Sequence, residues 1–177
     1  MFRTINYLKS GTETQRYAFE IINELNIFND LAKYTPVLCG TVPIAIDVQD
    51  SDLDIIMEVQ DFQLFKDEVK ALYGILEGFV LTELTVRNIP TITLNFRYRG
   101  FDFELFAQPT AVEKQNAYRH MLIEHYLLLK NPQVRKEIIF LKKKGIKTET
   151  AFAIVFGLVG DPYDALLVLG TKLGVIL

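Results

Sequence analysis

The chain has 177 residues, half of them hydrophobic, and a formal net charge of −3 at pH 7. This length and apolar content are typical of one ordered globular unit and exclude a low-complexity or disordered chain. The single cysteine, Cys39, excludes an internal disulfide and a cysteine-rich zinc module. No apolar run reaches the roughly 18 residues that a membrane span requires, so we expect a cytoplasmic protein. The acidic balance argues against a nucleic-acid partner, because phosphate backbones are bound by clustered Lys and Arg.

The first half of the chain is predicted to alternate between helix and strand. Apolar residues recur at helical spacing from about Thr14 to Ala32, which predicts an amphipathic helix. A strand from Val37 to Gly40, a short helix over 42–46 and a strand from Asp52 to about Val59 follow. Asp61 is the expected N-cap of a helix that ends at Gly74.

The later segments complete the sheet and add a helical tail. Strands are predicted at 79–86, 91–98 and around Glu104, and helices at about 112–129, 132–144, 148–156 and from Asp161 onward. The predicted fold class is α+β, with a mixed β-sheet of about five strands flanked by helices and a helical C-terminal extension. We place the α/β core in residues 1–110 and the extension, packed on that core, in residues 111–177.

Two aspartates, Asp52 and Asp54, open the second predicted strand. Side chains two residues apart in a strand share one face and lie about 7 Å apart along the backbone. Both carboxylates can therefore bind the same hard cations, which prefer oxygen ligands. Taken alone, an acidic pair at this spacing is more often a solvated surface than a metal site.

The preceding apolar run ends at Gly40 and Thr41. A glycine lets the backbone approach a phosphate closely, and free N–H groups and a hydroxyl favour its negative charge. With the aspartate pair close behind in the sequence, this pattern indicates a phosphate-binding turn beside a metal-binding strand.

A third carboxylate is offered by the alternating segment 101–106. Asp102 and Glu104 share one face of this predicted strand, opposite its phenylalanines. Glu104 is our first choice as a metal ligand and Asp102 is its substitute, because the pattern makes the two equivalent. The alternative is that both lie on the solvated side of an edge strand.

The order Gly40–Thr41, a linker and Ser51–Asp52–Leu53–Asp54 resembles the signature of the DNA polymerase β-like nucleotidyltransferase superfamily, with threonine where serine is more common. Nearly the whole chain is also similar to a bacterial family of uncharacterised nucleotidyltransferase-like domains, through segments 40–44, 51–54, 100–106, 115–120 and 160–163. The resemblance implies metal-dependent transfer of a nucleoside monophosphate from an NTP to a hydroxyl acceptor, with release of pyrophosphate. It leaves the acceptor open, and the net charge favours a small molecule or a protein over nucleic acid.

The resemblance also implies roles for individual residues. Two Mg²⁺ ions would be held by three catalytic carboxylates, Asp52, Asp54 and Glu104. The phosphates of the nucleotide would be bound by Gly40, Thr41 and Ser51. Tyr118 and Arg119 are expected to contact the nucleotide, because the polar segment 115–120 begins a helix after the third carboxylate. A solvated first helical turn is the alternative for that segment.

Three interpretations stay open. The chain could be a nucleotide-binding or protein-interaction module without turnover, although a silent site has no reason to keep like charges adjacent. The apolar stretch from Ala165 to Leu177 could pack against a partner or against a second copy in a homodimer. The Lys142–Lys144 run is interpreted as a helix end, with triphosphate or RNA contact as the alternative.

Overall fold

The computed structural model describes residues 1–177. Its five strands are β1 (Val37–Cys39), β2 (Leu53–Glu58), β3 (Glu77–Val86), β4 (Ile89–Tyr98) and β5 (Phe101–Gln108). They form one sheet in the order β1-β2-β5-β4-β3. The β2–β5 pair is parallel and the other three pairs are antiparallel. The sheet is therefore mixed, as predicted.

Seven α-helices accompany the sheet: α1 (Glu13–Glu24), α2 (Ile27–Asp30), α3 (Phe62–Tyr73), α4 (Asn116–Lys130), α5 (Arg135–Lys143), α6 (Thr148–Phe156) and α7 (Pro162–Lys172). Short 3₁₀ turns lie at 6–10, 32–34, 112–114 and 132–134. The α+β prediction, with five strands and a helical C-terminal part, is confirmed. None of these helices has both the length and the apolar composition needed to span a bilayer.

Helix starts follow the local sequence signals. The side chain of Asp61 accepts a hydrogen bond from the N–H of Leu64 at 2.9 Å, and that of Asp161 accepts one from Asp164 at 3.0 Å. Pro162 occupies the first turn of α7, where its missing N–H costs nothing. Both predicted N-caps are confirmed.

Two predicted helices are wrong in detail. The helix over 14–32 is broken after Glu24, because Asn26 adopts a left-handed conformation with φ +55°. The helix over 42–46 does not form. There, Ala45 has φ +55°, and the chain turns so that the N–H of Ile46 donates to the carbonyl of Thr41. A left-handed residue cannot continue a right-handed helix.

The two faces of the sheet pack against different helices. Ile55 on β2 lies in an apolar cluster with residues of α1 and α3, whereas Ile56 lies in a second cluster with residues of α4, α5, α6 and α7. Since side chains alternate along a strand, Asp54 shares the face of Ile56. Its carboxylate is therefore directed toward the side of the sheet that carries the C-terminal helices.

Candidate active site

Strand register brings the acidic residues together. Asp54 pairs with Cys39 of β1 on one side and with Glu104 of β5 on the other. Asp52 immediately precedes β2, and one carboxylate oxygen from each of Asp52, Asp54 and Glu104 lies within 4.8 Å of the other two. Three convergent carboxylate oxygens form the ligand set that hard divalent cations such as Mg²⁺ prefer. The donor chemistry therefore fits the metal that the sequence resemblance implies.

The other candidate carboxylate, Asp102, lies outside this group. It pairs with Arg97 of β4, beyond the first β2–β5 pair, and its side chain is 70% exposed. Its Oδ1 atom lies 3.8 Å from Nε of Arg97. Of the two residues that the sequence pattern left equivalent, the structure places Glu104 in the acidic cluster.

Electrostatic repulsion is concentrated at Asp54. Burial raises its pKa to about 7, and the neighbouring carboxylates of Asp52, Glu104 and Glu149 act in the same direction, opposed by Lys142. Burial and the charge of Asp52 also raise the pKa of Glu104. A cation bound between the carboxylates would relieve this repulsion, because opposite charge favours the ionised form.

The glycine-hydroxyl turn lies directly against Asp54. Gly40 has φ +79°, and a Cβ atom at this position would collide with Oδ2 of Asp54. Only glycine can adopt this positive φ without strain and also leave the space beside Asp54 free of a Cβ atom. The hydroxyl of Thr41 donates to Oγ of Ser51 at 3.3 Å, and that same oxygen accepts from the N–H of Val48 at 2.9 Å. The turn and the loop before β2 are thus joined beside the carboxylates.

These residues line a cleft of about 890 Å³ between the sheet and the C-terminal helices. Such a volume is within the range of small-molecule binding sites. The wall on the sheet side includes Gly40, Thr41, Ser51, Asp52, Asp54 and Glu104. The opposite wall includes His120, Glu124, Lys142, Lys147, Glu149 and Tyr163. Residues 1–110 and 111–177 therefore each contribute one side of the cleft.

Tyr118 and Arg119 do not line the cleft, contrary to expectation. The Tyr118 ring lies 5.9 Å from the guanidinium of Arg3, and Arg119 donates a hydrogen bond to the carbonyl of Leu177 at 3.3 Å. The reason is the phase of α4, in which each residue is rotated about 100° from the last. The cleft is lined instead by the helix positions Asn116, Ala117, His120, Met121 and Glu124.

Lys142 is a cleft residue that the sequence analysis assigned to a helix end. It does lie in the last turn of α5, as predicted, but its Nζ atom also reaches into the cleft and donates to Oγ1 of Thr148 at 3.0 Å. Burial lowers its pKa, while the carboxylates of Glu124 and Asp52 oppose that effect. The local sequence held no signal that separates Lys142 from Lys143 and Lys144.

The wall of C-terminal helices also carries a buried polar network that sequence reasoning missed. Nε2 of His120 lies 3.0 Å from the carbonyl oxygen of Tyr163, and Nδ1 lies 3.5 Å from a carboxylate oxygen of Glu149. His120 therefore contacts α6 and α7 rather than Glu124, its neighbour one turn along α4. Burial raises the pKa of Glu149, but His120 and a hydrogen bond from the backbone of Glu149 itself, together with the charge of Lys142, outweigh this effect, so its pKa is lowered overall.

Glu124 is the least solvated carboxylate of the cleft. Its side chain is 4% exposed and its Oε1 atom has no hydrogen-bond partner. Burial raises its pKa to about 8, and the charge of Glu149 adds to this effect. Burial therefore favours the protonated form of Glu124. Periodicity alone could have placed it on an inward face of α4, but it could not have shown that no partner is present.

The β3–β4 hairpin reaches the C-terminal helices across one end of the cleft. Arg87, at the hairpin tip with φ +49°, donates to Oδ1 of Asp164 at 2.8 Å. Its guanidinium also lies 5.9 Å from the centre of the Tyr163 ring. The tip is thereby connected to the start of α7.

Solved structures with this fold are known, at low sequence identity. The GLD-2/RNP-8 complex matches with a TM-score of 0.54 and 14% identity over 88% of this chain and 62% of that chain. A Cid1 poly(U) polymerase bound to Mg and 3′-dATP matches with a TM-score of 0.53 and 15% identity over 89% of this chain and 48% of that chain. The chain thus covers less than two thirds of each of these larger proteins. It shares the fold of these two proteins.

Comparison of the sequence itself identifies one family. No curated protein matches the sequence. A family model described as "Domain of unknown function (DUF4269)" matches residues 20–169, a range that contains the acidic cluster, the glycine turn and most of the C-terminal helices. The protein therefore belongs to the DUF4269 family.

Proposed function

We propose that the protein is a Mg²⁺-dependent nucleotidyltransferase that moves a nucleoside monophosphate from an NTP to a hydroxyl group and releases pyrophosphate. The observation that carries this proposal is the acidic cluster Asp52, Asp54 and Glu104 beside a glycine turn, at the wall of a cleft large enough for a nucleotide. The fold supports the same reaction class, since a related structure contains Mg and a nucleotide.

In this proposal the carboxylates hold the metal ions. When bound, Mg²⁺ supplies charge neutralisation and Lewis acidity for displacement at the α-phosphate. Asp52 and Asp54 would contact two ions and Glu104 one of them, as the sequence resemblance implies. Because the pKa of Asp54 is raised, metal binding at this carboxylate would release a proton near neutral pH.

The β- and γ-phosphates are proposed to lie against the glycine turn. Gly40 lies directly against the Asp54 carboxylate, and Thr41 and Ser51 both line the cleft. Lys142 faces them from the helical wall, where an ammonium can neutralise an oxygen of the leaving pyrophosphate. In phosphoryl transfer of this kind, catalysis comes mostly from positioning and charge stabilisation.

The two parts of the chain are proposed to act as one unit. The carboxylates and the turn come from residues 1–110, whereas Lys142 comes from residues 111–177. An apolar cluster that includes Ile44, Ile56, Met121 and Phe152 joins the two parts. Removal of the helices would remove one wall of the site and expose the face of the sheet that they cover.

A thermal-shift titration with ATP, GTP, CTP and UTP, each with and without Mg²⁺, tests the proposal. We expect a Mg²⁺-dependent rise in Tm for at least one nucleotide, together with pyrophosphate release when an acceptor is supplied. The same shift should be absent in Asp54→Asn, with circular dichroism used to verify that this variant is folded. Nucleotide binding without pyrophosphate release for any acceptor would favour the silent nucleotide-binding module. No shift with any nucleotide would refute both.

A further inference from the structure

The face of the sheet that carries the acidic cluster continues beyond it. In register, Asp54 on β2 pairs with Glu104 on β5, Glu104 with Asn95 on β4, and Asn95 with Val80 on β3. Directly paired residues share a face, with Cβ atoms about 5 Å apart. Asn95 is exposed and Val80 is 55% exposed. An open surface therefore begins one strand away from Glu104.

The next row of the same face is also polar and accessible. Phe106 on β5 pairs with Thr93 on β4, and Thr93 with Thr82 on β3. Thr82 is exposed and Thr93 is half-buried. The side chains of Asn95, Thr93 and Thr82 make no hydrogen bonds within the protein. We call these three residues the polar platform. It offers amide and hydroxyl groups whose hydrogen-bonding capacity is not used.

The role of the polar platform follows from its position relative to the glycine turn at Gly40 and Thr41. Gly40 follows β1, at one edge of the sheet, whereas the platform lies on β4 and β3, at the other edge. The acidic cluster lies between them. In an in-line displacement the attacking and leaving oxygens are on opposite sides of the transferred phosphorus. If the pyrophosphate leaves on the side of Gly40, the acceptor must approach from the side of the platform.

The charges around the polar platform restrict what the acceptor can be. Next to the platform, on the same face of the sheet, Asp102, Arg97 and Glu77 are paired across β5, β4 and β3. Arg97, the one cation of this row, therefore lies between two carboxylates. Three lysines line the cleft, Lys114, Lys142 and Lys147, and all three come from the helical part of the chain. The remaining cation of the cleft, Arg87 at the hairpin tip, is paired with Asp164. A polynucleotide backbone requires several clustered cations along its path. Neutral amide and hydroxyl groups instead match the donors and acceptors of a hydroxylated compound.

We propose that the polar platform binds the acceptor, and that the acceptor is a small polyhydroxylated molecule without phosphate groups. This inference rests on the proposed nucleotidyl transfer and specifies its second substrate. The hydroxyl that is modified lies next to Glu104, and its neighbouring hydroxyls are held by Asn95 and Thr93. In the transfer, the acceptor oxygen forms a bond to the α-phosphorus, the bond from that phosphorus to the bridging oxygen breaks, pyrophosphate leaves with the electron pair, and the hydroxyl proton passes to solvent water.

The experiment uses the full chain, Mg²⁺ and an NTP labelled with ³²P at the α-phosphate. A cell extract is separated into a small-molecule filtrate, an RNA fraction and a protein fraction, and each fraction is offered as the acceptor. We expect label to be transferred to a compound in the filtrate. Label that is sensitive to ribonuclease in the RNA fraction, or to protease in the protein fraction, would overturn the proposal. Absence of label in all three fractions would refute the transfer reaction itself.

Variants test the location of the acceptor site. Asn95→Ala and Thr93→Ala should each slow transfer at limiting acceptor about tenfold, the loss expected for one hydrogen bond. Their Mg²⁺-dependent Tm shift with the NTP should equal that of the wild type. Thr85→Ala is the matched control, since Thr85 is an exposed threonine of β3 on the opposite face. Equal rates for all three variants and the wild type would show that the acceptor does not bind the platform.

Discussion

Asp54 and Glu104 stand opposite each other in the parallel β2–β5 pair, and this register brings Glu104, rather than Asp102, into the acidic cluster. Because paired residues share one face, the two side chains converge on the same space as Asp52. Asp102, two residues earlier on the same face of β5, pairs with Arg97 and is directed to solvent.

Glu104→Gln and Asp102→Asn test this assignment as a matched pair. We expect Glu104→Gln to lower the rate of Mg²⁺-dependent nucleotidyl transfer by orders of magnitude, because a metal ligand and its charge are lost. Asp102→Asn should retain activity within about twofold, since an exposed ion pair contributes little. Initial rates at saturating Mg²⁺ and NTP decide the question. A larger loss in Asp102→Asn would show that the wrong carboxylate has been assigned.

Gly40→Ala should be more harmful than substitution at another left-handed glycine. Alanine at φ +79° costs roughly 1–2 kcal/mol in backbone strain, and its Cβ would also collide with the carboxylate of Asp54. Gly78→Ala is the control, because Gly78 has φ +69° but no neighbouring atom within 4 Å of the position that a Cβ would take. Urea unfolding should show a greater loss of stability for Gly40→Ala, and only this variant should lose Mg²⁺-dependent nucleotide binding. Equal behaviour of the two variants would contradict the close contact with Asp54.

Lys142→Met should weaken NTP binding without unfolding the protein. The loss of a charge-assisted contact to phosphate is worth roughly 1.5–3 kcal/mol, or about 10- to 100-fold in Kd. Lys143→Met is the control, since Lys143 is exposed on the same turn of α5 and does not line this cleft. Isothermal titration with an NTP and Mg²⁺ measures both variants. Unchanged affinity in Lys142→Met would exclude Lys142 from the phosphate site.

The stability of the metal-free protein should fall as the pH rises from about 4.5 to about 8. The pKa of Asp54 is raised from 3.8 to about 7 and that of Glu124 from 4.5 to about 8, so the folded state holds protons that the unfolded state has lost. Their stabilising effect is therefore present at low pH and is lost as the pH passes through the folded-state pKa. Glu149, whose pKa is lowered, has the opposite effect, but only near and below its ordinary value of 4.5.

Glu124→Gln provides the control for this pH dependence. The variant keeps the volume of the side chain but cannot ionise, so its stability curve should be flatter than that of the wild type between about pH 4.5 and pH 8. Urea unfolding at a series of pH values without Mg²⁺ measures both curves. Parallel curves for the two proteins would show that Glu124 does not remain protonated when it is buried.

Much of the fold could be predicted from local sequence. Apolar runs and alternating apolar residues predicted the five strands, and Asp61 and Asp161 marked the starts of α3 and α7. These features depend on residues within one or two turns of each other, whose backbone preferences are set by local sterics and hydrogen bonds. The left-handed conformations of Asn26 and Ala45, which end the helices expected there, were not evident from residue type.

The order of residues along the chain was enough to show that Asp52 and Asp54 share a face, that Asp102 and Glu104 do so too, and that a glycine turn precedes the acidic strand. It was not enough to show that Glu104 joins the cluster, that Tyr118 and Arg119 lie outside the cleft, or that Lys142 lies within it. These placements depend on strand register and on the rotation of a helix about its axis, which are set by packing between distant parts of the chain. Local periodicity determines which residues share a face, but not which other face they meet.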